Sequence, residues 1–409
     1  MALTSPRSRQ GWQRNVWALA LCVFIAFVGF QFSSPFLPLY VRELGVTDPA
    51  MIALWSGVLA AVTPTVSGLL SPVFGRLADR FGRKMMLIRS LAAFTVIIAL
   101  MGLVTSVWQF FAMRFLQGLF AGFSPMAMAV ASVSAPRDKV AVAIARVQGA
   151  QLLSAAVGPL TGGLVASHFG IRPAFYVTSG MCAIALVALI VLFREARPLD
   201  PGEGPRRARV TPLGDFLRYR HFIPVMLLLL IAQFIDRALG LLVPLQVAHM
   251  PGVAAEAATA GVIISVAAVG AALAASIGAR VAEVIPVGRL LLAQLVIGGI
   301  LCGAMALAGH WITLLVLRTL VALCLGGALT LAYSLGGMIV PVETRGAAFG
   351  WLALGVQIGT AASPLLTGAI AAASLRNAYL LNAALALGGA ALLVFGARDL
   401  LNRRERFEG

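Results

Sequence analysis

Charge is what this chain has least of. Only 11% of its 409 residues are charged, against roughly a quarter in a soluble domain, and 60% are hydrophobic. With a strongly positive mean hydropathy, that deficit excludes an ordinary soluble fold. Acid is scarcer than base: 15 Asp and Glu face 31 Lys and Arg, for a formal net charge of +16. Lysine is almost missing, with Lys84 and Lys139 its two representatives. Neither follows a glycine, so the G-x-x-x-x-G-K-[ST] loop that cradles nucleotide phosphates is absent, and ATP hydrolysis of that kind with it. The four cysteines, Cys22, Cys182, Cys302 and Cys324, sit inside apolar runs without paired spacing and read as small apolar fillers. His168, His221, His249 and His310 are scattered near the ends of such runs. No metal cluster or nucleophile with a base is visible, so the expectation is no enzyme and no cofactor.

What the chain does have is apolar runs of about 20 residues or more, the length at which a helix crosses a bilayer core. They lie near 16–41, 51–74, 85–105, 107–133, 140–167, 173–193, 222–248, 257–279, 288–309, 311–340, 347–373 and 376–397. These twelve runs predict an all-α polytopic membrane protein. The first is longer than the apolar stretch of a secretory signal and continues through PFLPLY (35–40), so it is expected to stay as the first helix.

An even number of spans puts both termini on one side. That side collects 25 of the 31 basic residues, while Arg42, Arg172 and Arg376 fall opposite. Cytoplasmic loops carry the basic excess, so both ends are expected in the cytoplasm. The positive charge is therefore a topology signal, and no long soluble basic domain is present to bind nucleic acid.

The runs form a repeat. Residues 194–221, rich in Pro, Gly and charge, read as a cytoplasmic linker between six spans in 1–193 and six in 222–409. Across it, PFLPLY answers LVPLQ (242–246), and SAAVGPLTGG (154–163) answers GTAASPLLTG (359–368). Arg114 and Arg318 each fall seven residues into their spans. Two pseudo-symmetric six-helix bundles joined by a linker suit alternating access, with a site near the midplane between them.

One stretch breaks the charge scarcity: GRLADRFGRK (75–84) packs five charges into ten residues. Gly75 and Gly82 suit a tight reversal between spans two and three. Asp79 can accept from the start of the next helix or pair with Arg83. In span five, Gly158, Gly162 and Gly163 remove side chains beside Pro159, which lets a neighbour pack closely. The order Gly75-x-Leu-Ala-Asp79-Arg-x-Gly82-Arg83-Lys84 closely resembles the cytoplasmic loop motif of the major facilitator superfamily. Arg114-Phe-Leu-Gln117-Gly118 resembles its span-four motif. Gly158-Pro159-Leu-Thr-Gly162-Gly163 resembles the antiporter motif of its drug:proton exporters, and PFLPLYVRELGV and WSG (55–57) look like the multidrug-efflux branch. The resemblance runs end to end. It implies the twelve-helix, two-bundle major facilitator fold, a bacterial inner-membrane location, and a latch on the cytoplasmic face at the positions of Asp79 and Arg83. It also implies that spans one, four, seven and ten line a central cavity.

Four ionisable residues lie well inside spans: Arg114, Asp236, Arg237 and Arg318. Each costs at least about 2.5 kcal/mol at a helix centre, so each is expected to face water or a partner. Gln31 is the repeat counterpart of Arg237. Neighbours on a helix point about 100° apart, so Asp236 is expected to pair with an arginine of another span. Span one carries no acid, unlike many drug:proton exporters, and Asp236 is the one carboxylate deep in a span. It is therefore the proton-coupling candidate. Gln31, Arg114, Gln117, Arg237 and Arg318 are cavity candidates, and three arginines favour anionic or zwitterionic cargo over a lipophilic cation. The expected partners are protons, membrane lipids and a small-molecule substrate exported by proton antiport. The alternatives are a dedicated exporter of an endogenous metabolite such as a siderophore, a proton-coupled importer, and a membrane sensor that transports nothing.

Overall fold

The computed structural model describes residues 6–32, 36–136, 139–193, 216, 218–282, 284–340 and 345–402. Most of the linker at 194–221 lies outside them. Among the described residues, twelve helical segments are long and apolar enough to cross a membrane. In chain order they are Trp12–Phe32, Pro49–Ser71, Arg83–Met101, Val107–Ser134, Val142–Phe169, Ile171–Leu192, Phe222–Val247, Glu256–Gly278, Val287–Met305, Trp311–Ile339, Ala348–Ala373 and Leu375–Gly396, spans one to twelve. The Ala-rich eighth is a continuous helix, Glu256–Val281.

Three expectations need correction, each for a local reason. The first helix is described to Phe32, and LPLY (37–40) belongs instead to a short separate helix, Leu37–Glu43. Pro38 suits the opening turn of that helix, where its missing N–H costs nothing. Gly75 does not help to turn the chain: the helix of span two runs on through it to Phe81, and Gly82, at φ 89°, separates it from the next helix. Spans four and ten are each broken. Span four divides into Val107–Leu119 and Phe123–Ser134, and span ten into Trp311–Leu325 and Ala328–Ile339.

The helices gather into two compact units, Met1–Phe36 with Val62–Arg206, and Leu37–Ala61 with Arg207–Gly409. In the first, span one lies along span five, and an aromatic cluster joins spans one, three and four. The Phe30 ring meets Phe94 edge-on at 5.0 Å and Phe123 at 6.1 Å, a favoured arrangement for such pairs. In the second, span seven lies along span eleven. One apolar cluster gathers Leu242, Met305, Val321 and Tyr379, and another gathers Phe222, Leu291 and Leu335. Residues 49–61 join this unit against span eleven, where a Cβ on Gly368 would sit 2.8 Å from the Gly57 Cα. Arg42 and Glu256 form an ion pair at 3.1 Å there.

The repeat recurs in the packing. A Cβ on Gly158 would come within 2.9 Å of the Val28 carbonyl oxygen. In the second unit, Ser363 donates to the Phe234 carbonyl at 2.6 Å. Val28 and Phe234 stand in the same register as Pro38 and Pro244, so both halves use one crossing for span one on five and seven on eleven.

Candidate functional site

Span seven is buried along most of its length, yet Asp236 and Arg237 break its apolar surface. The Asp236 side chain is 63% exposed and lies 3.8 Å from Arg318 of span ten, whose side chain is only 10% exposed. That separation makes an ion pair without a close hydrogen bond. Asp236 and Arg318 share a cleft of about 40 Å³ with Ala232, Ile235 and Leu239 of span seven, Ala271 of span eight, and Val321 and Leu325 of span ten. The volume is that of a few water-sized positions, and the rest of the wall is apolar. Among the described residues Arg318 therefore has one counter-charge, and that counter-charge is itself largely uncovered by protein.

Arg318 holds its place because Leu314 and Val321, on the same helical face, are anchored in the apolar cluster. Among the described residues its buried Nε has no hydrogen-bond partner, and neither has the hydroxyl of fully buried Tyr379 in that cluster. Arg237 occupies the adjacent exposed position. Asp236 thus pairs with another span's arginine, as the angle between helical neighbours requires.

The first unit holds its own polar group. Thr63 of span two donates to the Arg114 carbonyl at 2.8 Å and approaches the Gln117 amide oxygen at 3.5 Å. The Arg114 guanidinium sits 5.6 Å from the Phe110 ring centre, and its buried Nε has no partner. Gln31 packs at the end of span one, where a Cβ on Gly158 would meet its Cβ at 2.7 Å.

A model described as "Major Facilitator Superfamily" matches residues 19–258 and 250–408. The chain belongs to the major facilitator superfamily. "Multidrug resistance protein MdtG" of Escherichia fergusonii is 31% identical over 397 residues, covering 96% of each chain. The Citrobacter koseri protein of that name is also 31% identical over 397 residues, covering 96% of this chain and 97% of its own. Among solved structures, a bacterial homolog of the human lysosomal transporter Spinster, inward-facing and occupied, superposes with TM-score 0.77 at 17% identity over 96% of this chain and 98% of its own. The nucleoside transporter NupG does so with TM-score 0.74 at 12% identity, over 95% and 99%. At such identities the two structures speak for the fold. The chain is a multi-pass inner-membrane protein of this superfamily.

The superfamily's loop motif is tied down by its basic members. Arg83 donates to the Ala129 carbonyl of span four at 3.2 Å, and Lys84 to the Phe193 carbonyl at 2.6 Å. The side chain of Asp79 lies outside the described residues, as does the environment of Gly75. In the span-five motif, Gly158 and Gly162 form the face against span one: a Cβ on Gly162 would fall on the Phe32 carbonyl oxygen. Gly163 and Pro159 are buried in the same helix, which continues from Val140 to Phe169.

Sequence reasoning missed Arg89 and Ser90. Both donate to the Ala121 carbonyl in the break of span four, at 3.1 and 3.4 Å. A signal was present: the residue four beyond Ala121 is Pro125, so that carbonyl has no helical donor.

Proposed function

We propose that the chain is a proton-driven exporter of small organic molecules, working by alternating access between bundles 1–193 and 222–409, with both termini cytoplasmic. The observation that carries this is the Asp236–Arg318 cleft in a chain whose multidrug-resistance relatives match it along nearly its whole length. A coupling group must be charged in one state and neutral in another. Desolvation favours a neutral carboxyl and a nearby guanidinium favours a charged one. Asp236 stands 3.8 Å from Arg318, and movement of span ten would change that distance. Arginine stays protonated throughout, so Arg114, Arg237 and Arg318 tune the acid or hold cargo. That cargo is anionic or zwitterionic in preference to a lipophilic cation, and the chain performs no covalent chemistry on it.

Efflux of a compound panel from inverted membrane vesicles, with and without a proton gradient, tests the reading. Gradient-dependent accumulation supports an exporter; gradient-dependent loss would mark an importer, and binding without movement a sensor. Asp236→Asn is expected to abolish gradient-driven movement while cargo still binds. Normal gradient-driven efflux by that variant would end the assignment of Asp236.

A further inference from the structure

The breaks in spans four and ten occupy the same place in the repeat, yet they are built differently. In span four the break is fixed. Gly122 adopts φ 101°, a conformation closed to most side chains, and Pro125 withholds the N–H that Ala121 would have used. Arg89 and Ser90 of span three take that carbonyl instead. The Arg89 guanidinium is flanked by Phe74 at 5.0 Å and Phe120 at 5.9 Å. In span ten the corresponding residues are Gly326 and Gly327, both with right-handed helical dihedrals, at φ −60° and −89°. In the register that matches Pro159 with Pro364, Thr330 stands where Pro125 would, Leu295 replaces Ser90, and Gln294 of span nine replaces Arg89. The Gln294 amide lies 3.1 Å from the position of a Cβ on Gly327, and its buried Oε1 has no hydrogen-bond partner.

We propose that Gly326–Gly327 is the hinge of the transport site, with Gln294 as its positioning residue, and that span four is its locked counterpart. Glycine pairs are where helices bend. Gly326 itself lines the cleft with Asp236 and Arg318, so bending there carries Trp311–Leu325, and Arg318 with it, relative to span seven. A carbonyl bared by the bend can receive the Gln294 amide N–H. The consequence for coupling rests on the transport reading above; the difference between the two breaks does not.

Amide hydrogen exchange of the full chain in lipid nanodiscs tests it without cargo or gradient. Residues 326–331 should exchange faster than 120–126; equal or slower exchange there would overturn the proposal. Gly327→Ala fits, because its Cβ meets the mobile end of Gln294, whereas a Cβ on Gly326 would lie 2.5 Å from the Ala271 Cα. By helix propensity, Gly327→Ala should slow exchange at 326–331 about fivefold. It should also slow efflux of a dye that the wild type exports, at unchanged dye affinity. Unchanged exchange and efflux would sink the hinge. Arg89→Gln is the complementary variant, expected to speed exchange at 120–126, and no change there would remove the lock. If the wild type exports nothing, the transport reading falls while the exchange result still decides the hinge.

Discussion

Asp236 and Arg318 share one ion pair unequally, because the base is buried in protein and the acid is not. Removing the acid leaves a buried cation short of its counter-charge, at a cost of about 3–5 kcal/mol. Loss of efflux in Asp236→Asn alone therefore has two explanations, coupling and stability. Pairing Asp236→Asn with Arg318→Gln separates them, since removing both charges restores electrical balance in the cleft. The double variant should recover thermal stability relative to Asp236→Asn and still lack gradient-driven efflux. Recovery of efflux along with stability would make the pair structural. The sequence indicated that Asp236 needed an arginine of another span, because adjacent helical residues diverge. It did not indicate which one, since Arg114 and Arg318 occupy equivalent depths in the repeat and only tertiary packing selects between them.

At the scale of elements, small residues decide how closely helices approach. A Cβ on Gly162 lands on the Phe32 carbonyl, whereas one on Gly180, in span six, meets nothing within 4 Å. Gly162→Ala is thus expected to force spans one and five apart, lowering stability by about 1–3 kcal/mol. Gly180→Ala should hold stability or raise it by up to about 1 kcal/mol through helix propensity. Thermal unfolding of the two purified variants checks this, and an equal effect from both would refute the close-packing role of span five. The twelve spans were legible because long apolar runs allow little but helix in a bilayer. Their interruptions were not, because hydropathy does not register a left-handed Gly122 or two adjacent glycines in span ten. Arg89 escaped notice for a related reason: among five basic residues in the loop region it looked like topology charge, and only the fold shows its guanidinium turned onto Ala121.

At the scale of the whole molecule, the proposed latch and the proposed orientation can each be tested. If the loop acid secures the cytoplasmic face, Asp79→Asn should insert at normal abundance yet transport far more slowly, since it removes charge with little change in shape; full efflux would leave Asp79 a turn residue. Orientation rests on the uneven basic residues, 25 of 31 on one side. One of the three on the other side, Arg42, is paired with Glu256 at 3.1 Å, which leaves the count of basic residues unchanged. Both termini and the segment 200–210 should then face the cytoplasm. A reporter that works only in the cytoplasm, fused after Gly409 or within 200–210, should be active, and one that needs export should be silent at both sites. The reverse pattern at both sites would invert the molecule. It would place the Arg83 and Lys84 contacts on the outer face and remove the cytoplasmic latch, while leaving the Asp236–Arg318 cleft inside the second unit untouched.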